Sequence, residues 1–322
     1  MSYTKRVANV LLTAIMVFST AGTAYAQATT PKANGYRISP LRTELTIEKG
    51  TSQTATVSIE NPSKVPFKVK GVINDFEASD SENGQPGLLL DGSYAPSHSL
   101  KRFVSDPAEV DLAPNERKEV KVVISIPSNA AAGGYYGAIR FLPVETVAGA
   151  NVSLAASVGS LFLVNVPGNI NEHLQLLQFG AASNGSIKKV ITGGPVSIIT
   201  RFKNDGDTHE KPFGKIQVKD SKGKVVAEEE INNVEPKSNV LPASIRKFET
   251  KLKNSKWFGY YTVTAGYGYN PSNGELITAK ASFWYVPFWV LALVIIFILA
   301  VLGAIYMIYR KIQKSRTKRT RS

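Results

Sequence analysis

The run from Phe288 to Ile308, FWVLALVIIFILAVLGAIYMI, constrains this chain more than any other stretch: 21 consecutive residues carry no charge. Wound as a helix at about 1.5 Å per residue it measures about 32 Å, one crossing of a bilayer's hydrocarbon core. A helix of a soluble protein keeps a polar face, and this run has none. After Tyr309 come Arg310, Lys311, Lys314, Arg316, Lys318, Arg319 and Arg321 without a carboxylate, the composition of a tail retained on the cytoplasmic side. Trp284, Tyr285 and Trp289 fall at the level of the outer headgroups, and Tyr306 and Tyr309 at the inner ones. The expected span is therefore 287–309 with a basic tail at 310–322, and Trp284, Trp289, Arg310 and Lys311 are the expected anchoring residues.

At the other end, Met1 to Ala26 combines Lys5 and Arg6, the apolar run VANVLLTAIMVF and the small-residue close Ala24-Tyr25-Ala26. That order reads as a cleavable secretory signal peptide, 1–26, followed by a polar spacer, 27–35. The two ends together predict a single-pass cell-membrane protein with extracellular N-terminal domains and a cytoplasmic C-terminal tail. The formal charge of +13 includes two cations in the signal and seven in the tail, so the part between carries +4. Basic and acidic residues are mixed there, and no nucleic-acid partner is expected. The chain has no cysteine, which excludes disulfides, a thiol-borne lipid anchor, a Cys metal site and a Cys nucleophile. Core burial alone must hold the exported part together, and the missing inter-sheet disulfide points to a bacterial source.

Between the ends the pattern has period two. Leu41, Thr43, Leu45 and Ile47 alternate with Arg42, Glu44, Thr46 and Glu48, and after the Lys49-Gly50 turn Gln53, Ala55, Val57 and Ile59 alternate with polar residues. Strands are likewise expected at Phe67–Ile73, Val110–Leu112, Val120–Ile126, Tyr135–Phe141 and Val152–Val166, with Asn61-Pro62-Ser63 as punctuation. Seven short strands with regular turns predict an immunoglobulin-like β-sandwich over 36–167. Past Pro167-Gly168-Asn169 a second alternating series begins at Val196 and continues through 216–218, 225–231, 240–248, 261–269 and 277–283. It predicts a second immunoglobulin-like sandwich over 168–284, with no residue-level repeat between the halves. The fold class is thus all-β, two tandem sandwiches ahead of one membrane helix.

The first series is interrupted by Asp75 to Phe103, a long insertion. Its acidic residues, Asp75, Glu77, Asp80 and Glu82, lack the spacing and closing glutamate of an EF-hand loop and read as a solvated loop without a metal. Leu88, Leu89 and Leu90 inside it are binding candidates, since three exposed leucines either pack on the sandwich or meet a partner. Tyr260 is a further candidate, expected on the face opposite to Tyr261, Tyr267 and Tyr269, where a tyrosine anchors a partner or stacks on sugar.

Ile38-Ser39-Pro40, Asn61, the segment Ala132-Gly-Gly-Tyr-Tyr-Gly-Ala-Ile-Arg-Phe141 and the order of parts resemble the bacterial WxL-interacting surface proteins. The segments Phe202-Lys-Asn-Asp-Gly-Asp-Thr-His209, Leu241-Pro-Ala-Ser-Ile-Arg246 and Phe258-Gly-Tyr-Tyr261 look like second domains of similar bacterial proteins. The resemblance implies a membrane-anchored protein whose first domain binds peptidoglycan and whose second binds another surface protein or a host ligand. A weaker resemblance, carried by the proline-led edge strand and the Asn-Pro turn, is to periplasmic pilus-assembly chaperones; it implies an accessory that pairs β-strands, here at the Leu41–Ile47 edge.

Catalysis is not expected. His98, His173 and His209 are scattered, and no nucleophile elbow, HExxH or phosphate-cradling loop occurs. No catalytic residue, metal site or cofactor is expected. The sequence reads as a cell-surface binding protein, with strand-pairing assembly as the alternative.

Overall fold

The computed structural model describes residues 36–144, 158–253, 258–270 and 275–319. The expected signal peptide, the spacer and residues 152–157 lie outside the described residues.

Alternating residues build nine strands in the first half: β1 (Arg37–Ser39), β2 (Arg42–Thr46), β3 (Ser52–Glu60), β4 (Phe67–Ala78), β5 (Pro86–Leu88), β6 (Val110–Leu112), β7 (Arg117–Ser125), β8 (Gly133–Val144) and β9 (Val158–Val166). One sheet runs β1-β3-β7 and the other β2-β9-β8-β4-β5, with β6 also on β4. The chain changes sheets at Pro40: Ile38 pairs with Ile59 in the first sheet, and five residues later Thr43 lies parallel to Phe162 in the second. Between the sheets Val57, Ile59, Val122, Ile124, Phe141 and Val164 are at most 1 % exposed. The inward face of β7 (Val120, Val122, Ile124) and its outward face (Lys121, Val123, Ser125) follow the period of two.

The second half contributes β10 (Leu174–Ser183), β11 (Ser186–Ile187), β12 (Val190–Ile191), β13 (Ser197–Asn204), β14 (Phe213–Lys219), β15 (Val225–Ile231), β16 (Ser244–Lys251), β17 (Gly259–Gly268) and β18 (Ile277–Tyr285). Its sheets are β11-β10-β13-β16 and β12-β18-β17-β14-β15. Phe202 and Tyr267 cross at 87° with centroids 5.2 Å apart, both wholly buried, and Thr200 Oγ1 meets the Tyr267 hydroxyl at 2.9 Å.

The all-β sandwich architecture is as the sequence predicts, but the strand count is not. Each half has nine strands among the described residues rather than seven. The largest omission is β10, ten residues long. A register shift between Leu176 and Gln178 leaves Leu177 40 % exposed and breaks the alternation that would betray the strand. The insertion is also more ordered than a solvated loop. β4 runs on to Ala78, β5 pairs back onto Phe76–Ala78, and the Asp75 carboxylate, fully buried, accepts the amides of Ala95 and Lys101 at 3.0 and 2.8 Å and the Ser99 hydroxyl at 2.5 Å.

Two residues separate β18 from the helix α1 (Phe288–Arg319). It continues past Ile308, since the Arg and Lys residues that follow are good helix formers and nothing breaks the pattern. Its window Phe288–Lys311 has a mean hydropathy of 3.1 and none of it is buried against the rest of the chain, so one apolar helix is long enough to cross a membrane.

Candidate functional site

Two of the segments that carry the resemblance, Ala132–Phe141 and Phe202–His209, meet in the structure. Gly134 donates its amide to the Asp207 carbonyl at 2.8 Å, and a Cβ on Gly133 (φ +133°) would stand 2.9 Å from that same oxygen. Only glycine allows so close a backbone approach there. Two residues along β8, the buried Tyr136 hydroxyl lies 3.3 Å from His209 Nδ1, with the rings edge-on at 5.8 Å. His98, in the insertion, lies against Tyr136 with the rings tilted at 47° and centroids 6.0 Å apart, and meets the Gly134 carbonyl through Nδ1 at 2.6 Å.

An apolar cluster lies beneath. Phe76, Tyr136, Ala138 and Leu163 are buried, with Leu88 and Leu161 against them from the first sandwich and Leu241 from the second. These residues occupy the outer face of the β4-β8-β9 sheet, which an isolated sandwich would show to water. The cluster explains why β8 has few exposed positions on either face.

Charges ring the cluster. Glu44 Oε1 accepts Asn239 Nδ2 at 3.2 Å and Arg42 at 3.0 Å, Oε2 accepts Lys211 Nζ, and Arg42 also donates to the Lys237 carbonyl at 2.9 Å. Alternation alone would leave Arg42 and Glu44 facing solvent; the second sandwich half-buries them. Leu41, expected on the inward face, is 63 % exposed because it precedes the strand. From the insertion, Glu82 forms a forked pair with Arg201 and accepts the Lys247 amide through its carbonyl at 2.8 Å.

Burial opposes the charge on Glu44, but hydrogen bonds from Lys211 and Asn239 and the Lys211 charge hold it below the ordinary carboxylate value. Burial drives His209 down to about 4 against the pull of Glu44, so the imidazole is neutral. Burial raises Tyr136 and keeps its hydroxyl protonated. Glu210, 4 % exposed, is pushed up to about 8 by burial and then by Glu172, and its Oε1 has no hydrogen-bond partner among the described residues. At neutral pH the joint therefore holds a neutral His209, a protonated Tyr136 and an ionised Glu44, the states expected of packed and ion-paired side chains. Among the described residues no three His, Asp or Glu side chains are grouped to hold a metal. An open groove of about 610 Å³, with His98, Phe103, Tyr135 and Asp207 in its walls, flanks the joint.

The residues singled out from sequence fall in different places. Leu88 joins the apolar cluster, Leu89 is half-buried with its amide on the Asp75 carbonyl, and Leu90 is 61 % exposed. Tyr260 is 39 % exposed beside Trp284, 44 % exposed, while Tyr261, Tyr267 and Tyr269 are buried. Trp289, Arg310 and Lys311 are exposed along α1. Sequence reasoning missed Tyr136, His209, Lys211 and Asn239; no local signal marks them, because their neighbours come from the other half of the chain.

No family model and no curated protein matches this chain, so the resemblance to WxL-interacting surface proteins has no match behind it. Solved structures do match, at low identity. The chain is similar to the class 5 fimbriae chaperone CfaA (16 % identity, 79 % of this chain and 100 % of that one, TM-score 0.37). It is similar to the E. coli chaperone DraB (13 %, 78 % and 96 %, TM-score 0.36) and to a Salmonella enterica SafA pilin–SafB chaperone complex (15 %, 79 % and 97 %, TM-score 0.34). Likeness at these scores says nothing of what this chain binds or does.

Proposed function

We propose that this chain is a membrane-anchored cell-surface binding protein. Its two sandwiches form one stiff arm presented outside the cell to cell-wall polymer, another surface protein or a host ligand. The observation that carries the reading is α1, whose apolar window has none of its residues buried among the described residues and which is joined to the last strand by only Val286 and Pro287. So short a connection leaves the second sandwich against the outer leaflet. The shared cluster of Phe76, Tyr136 and Leu241 holds the first sandwich beyond it. The test is sedimentation of the full chain, in mild detergent, with purified bacterial cell walls. Retention on the walls that resists a competing detergent-solubilised membrane protein is expected, and a chain that stays in the supernatant counts against the wall as ligand.

A second reading, a strand-pairing accessory of surface-protein assembly, rests on β7. Among the described residues that strand pairs with β3 and, through one bridge at Ile124, with Val104, so its outer edge is open there along most of its length. The Leu41–Ile47 edge suits this role less, because Arg42 and Glu44 on β2 are tied to the second sandwich. Co-purification of a surface subunit that Val123→Pro abolishes would favour this reading over the first.

A further inference from the structure

The outer face of the β18-β17 sheet ends in an aromatic cluster. Phe258 and Tyr260 lie with ring centroids 6.0 and 5.5 Å from Trp284, and the three are 51, 39 and 44 % exposed. Val190, paired with Trp284 across β12, extends the patch and is 51 % exposed. Nothing in the described residues covers this surface. An apolar aromatic patch of this kind on a soluble module needs a partner.

The loops and strand ends at the same end of the sandwich carry an excess of lysine. Lys188 and Lys189 precede Val190, Lys222 and Lys224 sit in the β14–β15 turn, and Lys251 and Lys253 close β16; all six are exposed. Asp220 in that turn is used locally, accepting the amides of Lys222 and Lys224, and Lys253 is paired with Glu229 at 3.4 Å. Register places the whole set at one end: Val190 and Gly259 pair with Trp284 and Tyr285, Lys219 pairs with Val225, and Ser197 with Lys251.

The chain itself says what meets this end. Trp284 is four residues before Phe288, where α1 starts, so the patch cannot stand more than about 14 Å of extended chain from the helix. Amphipathic aromatics with lysines beside them match a bilayer's interface, where rings sit at headgroup depth and cations are drawn to anionic lipid.

We propose that the Phe258–Tyr260–Trp284 face and its lysines form a lipid-headgroup binding surface that seats the second sandwich on the anionic bilayer crossed by α1. This rests on the anchored reading above, and the experiment separates the two. The full chain is reconstituted into nanodiscs of equal parts phosphatidylcholine and phosphatidylglycerol, with lipids brominated just below the headgroup. A sole tryptophan is placed by Phe258→Trp with Trp257→Phe, Trp284→Phe and Trp289→Phe. It should lose most of its emission to the brominated lipid. That loss should be reversed by Lys188→Glu, Lys189→Glu and Lys222→Glu, whose exposed positions leave melting in detergent unchanged. A parallel chain keeps only Trp289. Trp289 quenched with position 258 unquenched, or quenching at 258 that ignores the charge reversals, overturns the lipid surface and leaves the anchor standing. Trp289 unquenched overturns the anchor and the surface together.

Discussion

Glu210 shows at the scale of one side chain what the joint costs. Its carboxyl is buried, one oxygen lacks a donor among the described residues, and its folded pKa is about 8. An unfolded glutamate titrates near its ordinary value, so between that value and about 8 the folded chain holds a proton that the unfolded chain has shed. The stability this provides is complete below the unfolded pKa and is lost as pH rises through the folded one. Glu210→Gln should therefore raise the melting temperature at pH 8 by a few degrees and flatten the decline from mildly acidic to mildly basic pH, read by circular dichroism in detergent. His209 has the opposite sign: with its pKa depressed to about 4, stability falls on acidification from the ordinary imidazole value toward that figure. Asparagine supplies a second residue-scale lesson. Asn61 donates to the Val65 and Ala113 carbonyls and accepts the Ser63 amide, while Asn204 donates to Thr208 and Val240 and accepts the Gly206 amide. Each sits wholly buried at a strand end and bonds i+2 and i+4 alike. This is the internal correspondence between the halves that residue comparison missed, because only the asparagine and its spacing persist. Asn61→Ala or Asn204→Ala strands buried carbonyls and should cost about 1–3 kcal/mol in urea unfolding, with Asp no better than Ala because the donors are gone.

At the scale of elements, the insertion between β4 and β6 is an arm. Asp75 ties its root, and Glu82, with φ +55°, ties its tip to Arg201 and Lys247 of the second sandwich. Both ion partners are about a quarter exposed, so the pair itself contributes modestly. The arm's order depends on it more than global stability does. Glu82→Ala should speed hydrogen exchange over residues 79–90 while leaving β3 and β7 protected; unchanged exchange in the arm would show the tie to be incidental. Strands with clean alternation, β3, β7 and β17, are legible in the sequence because one face meets a core and the other meets water. β10 and the outer face of β8 are not, since a bulge shifts the period in one and a second buried surface erases it in the other.

At the scale of the whole molecule, the question is whether the two sandwiches move as one. The apolar cluster that Leu241 completes and the Glu44 network around it predict an interface that moves with the fold and does not act as a hinge. With no native cysteine, Lys121→Cys and Glu230→Cys give a unique spin-label pair. Their distance distribution should be narrow in the parent chain and broad once Leu241→Asp and Glu44→Ala are added; a broad parent distribution would show a flexible linker instead. From the linear chain alone follow the apolar helix, the basic tail, the absence of disulfides and the presence of paired β-sandwiches, because each depends on runs and periods among neighbouring residues. Only the tertiary structure decided that Glu44, Tyr136, His209 and Leu241 share one joint, and that Phe258, Tyr260 and Trp284 share one face. Those groupings bring together residues tens to hundreds of positions apart, and no local periodicity records which surfaces a folded chain turns toward each other.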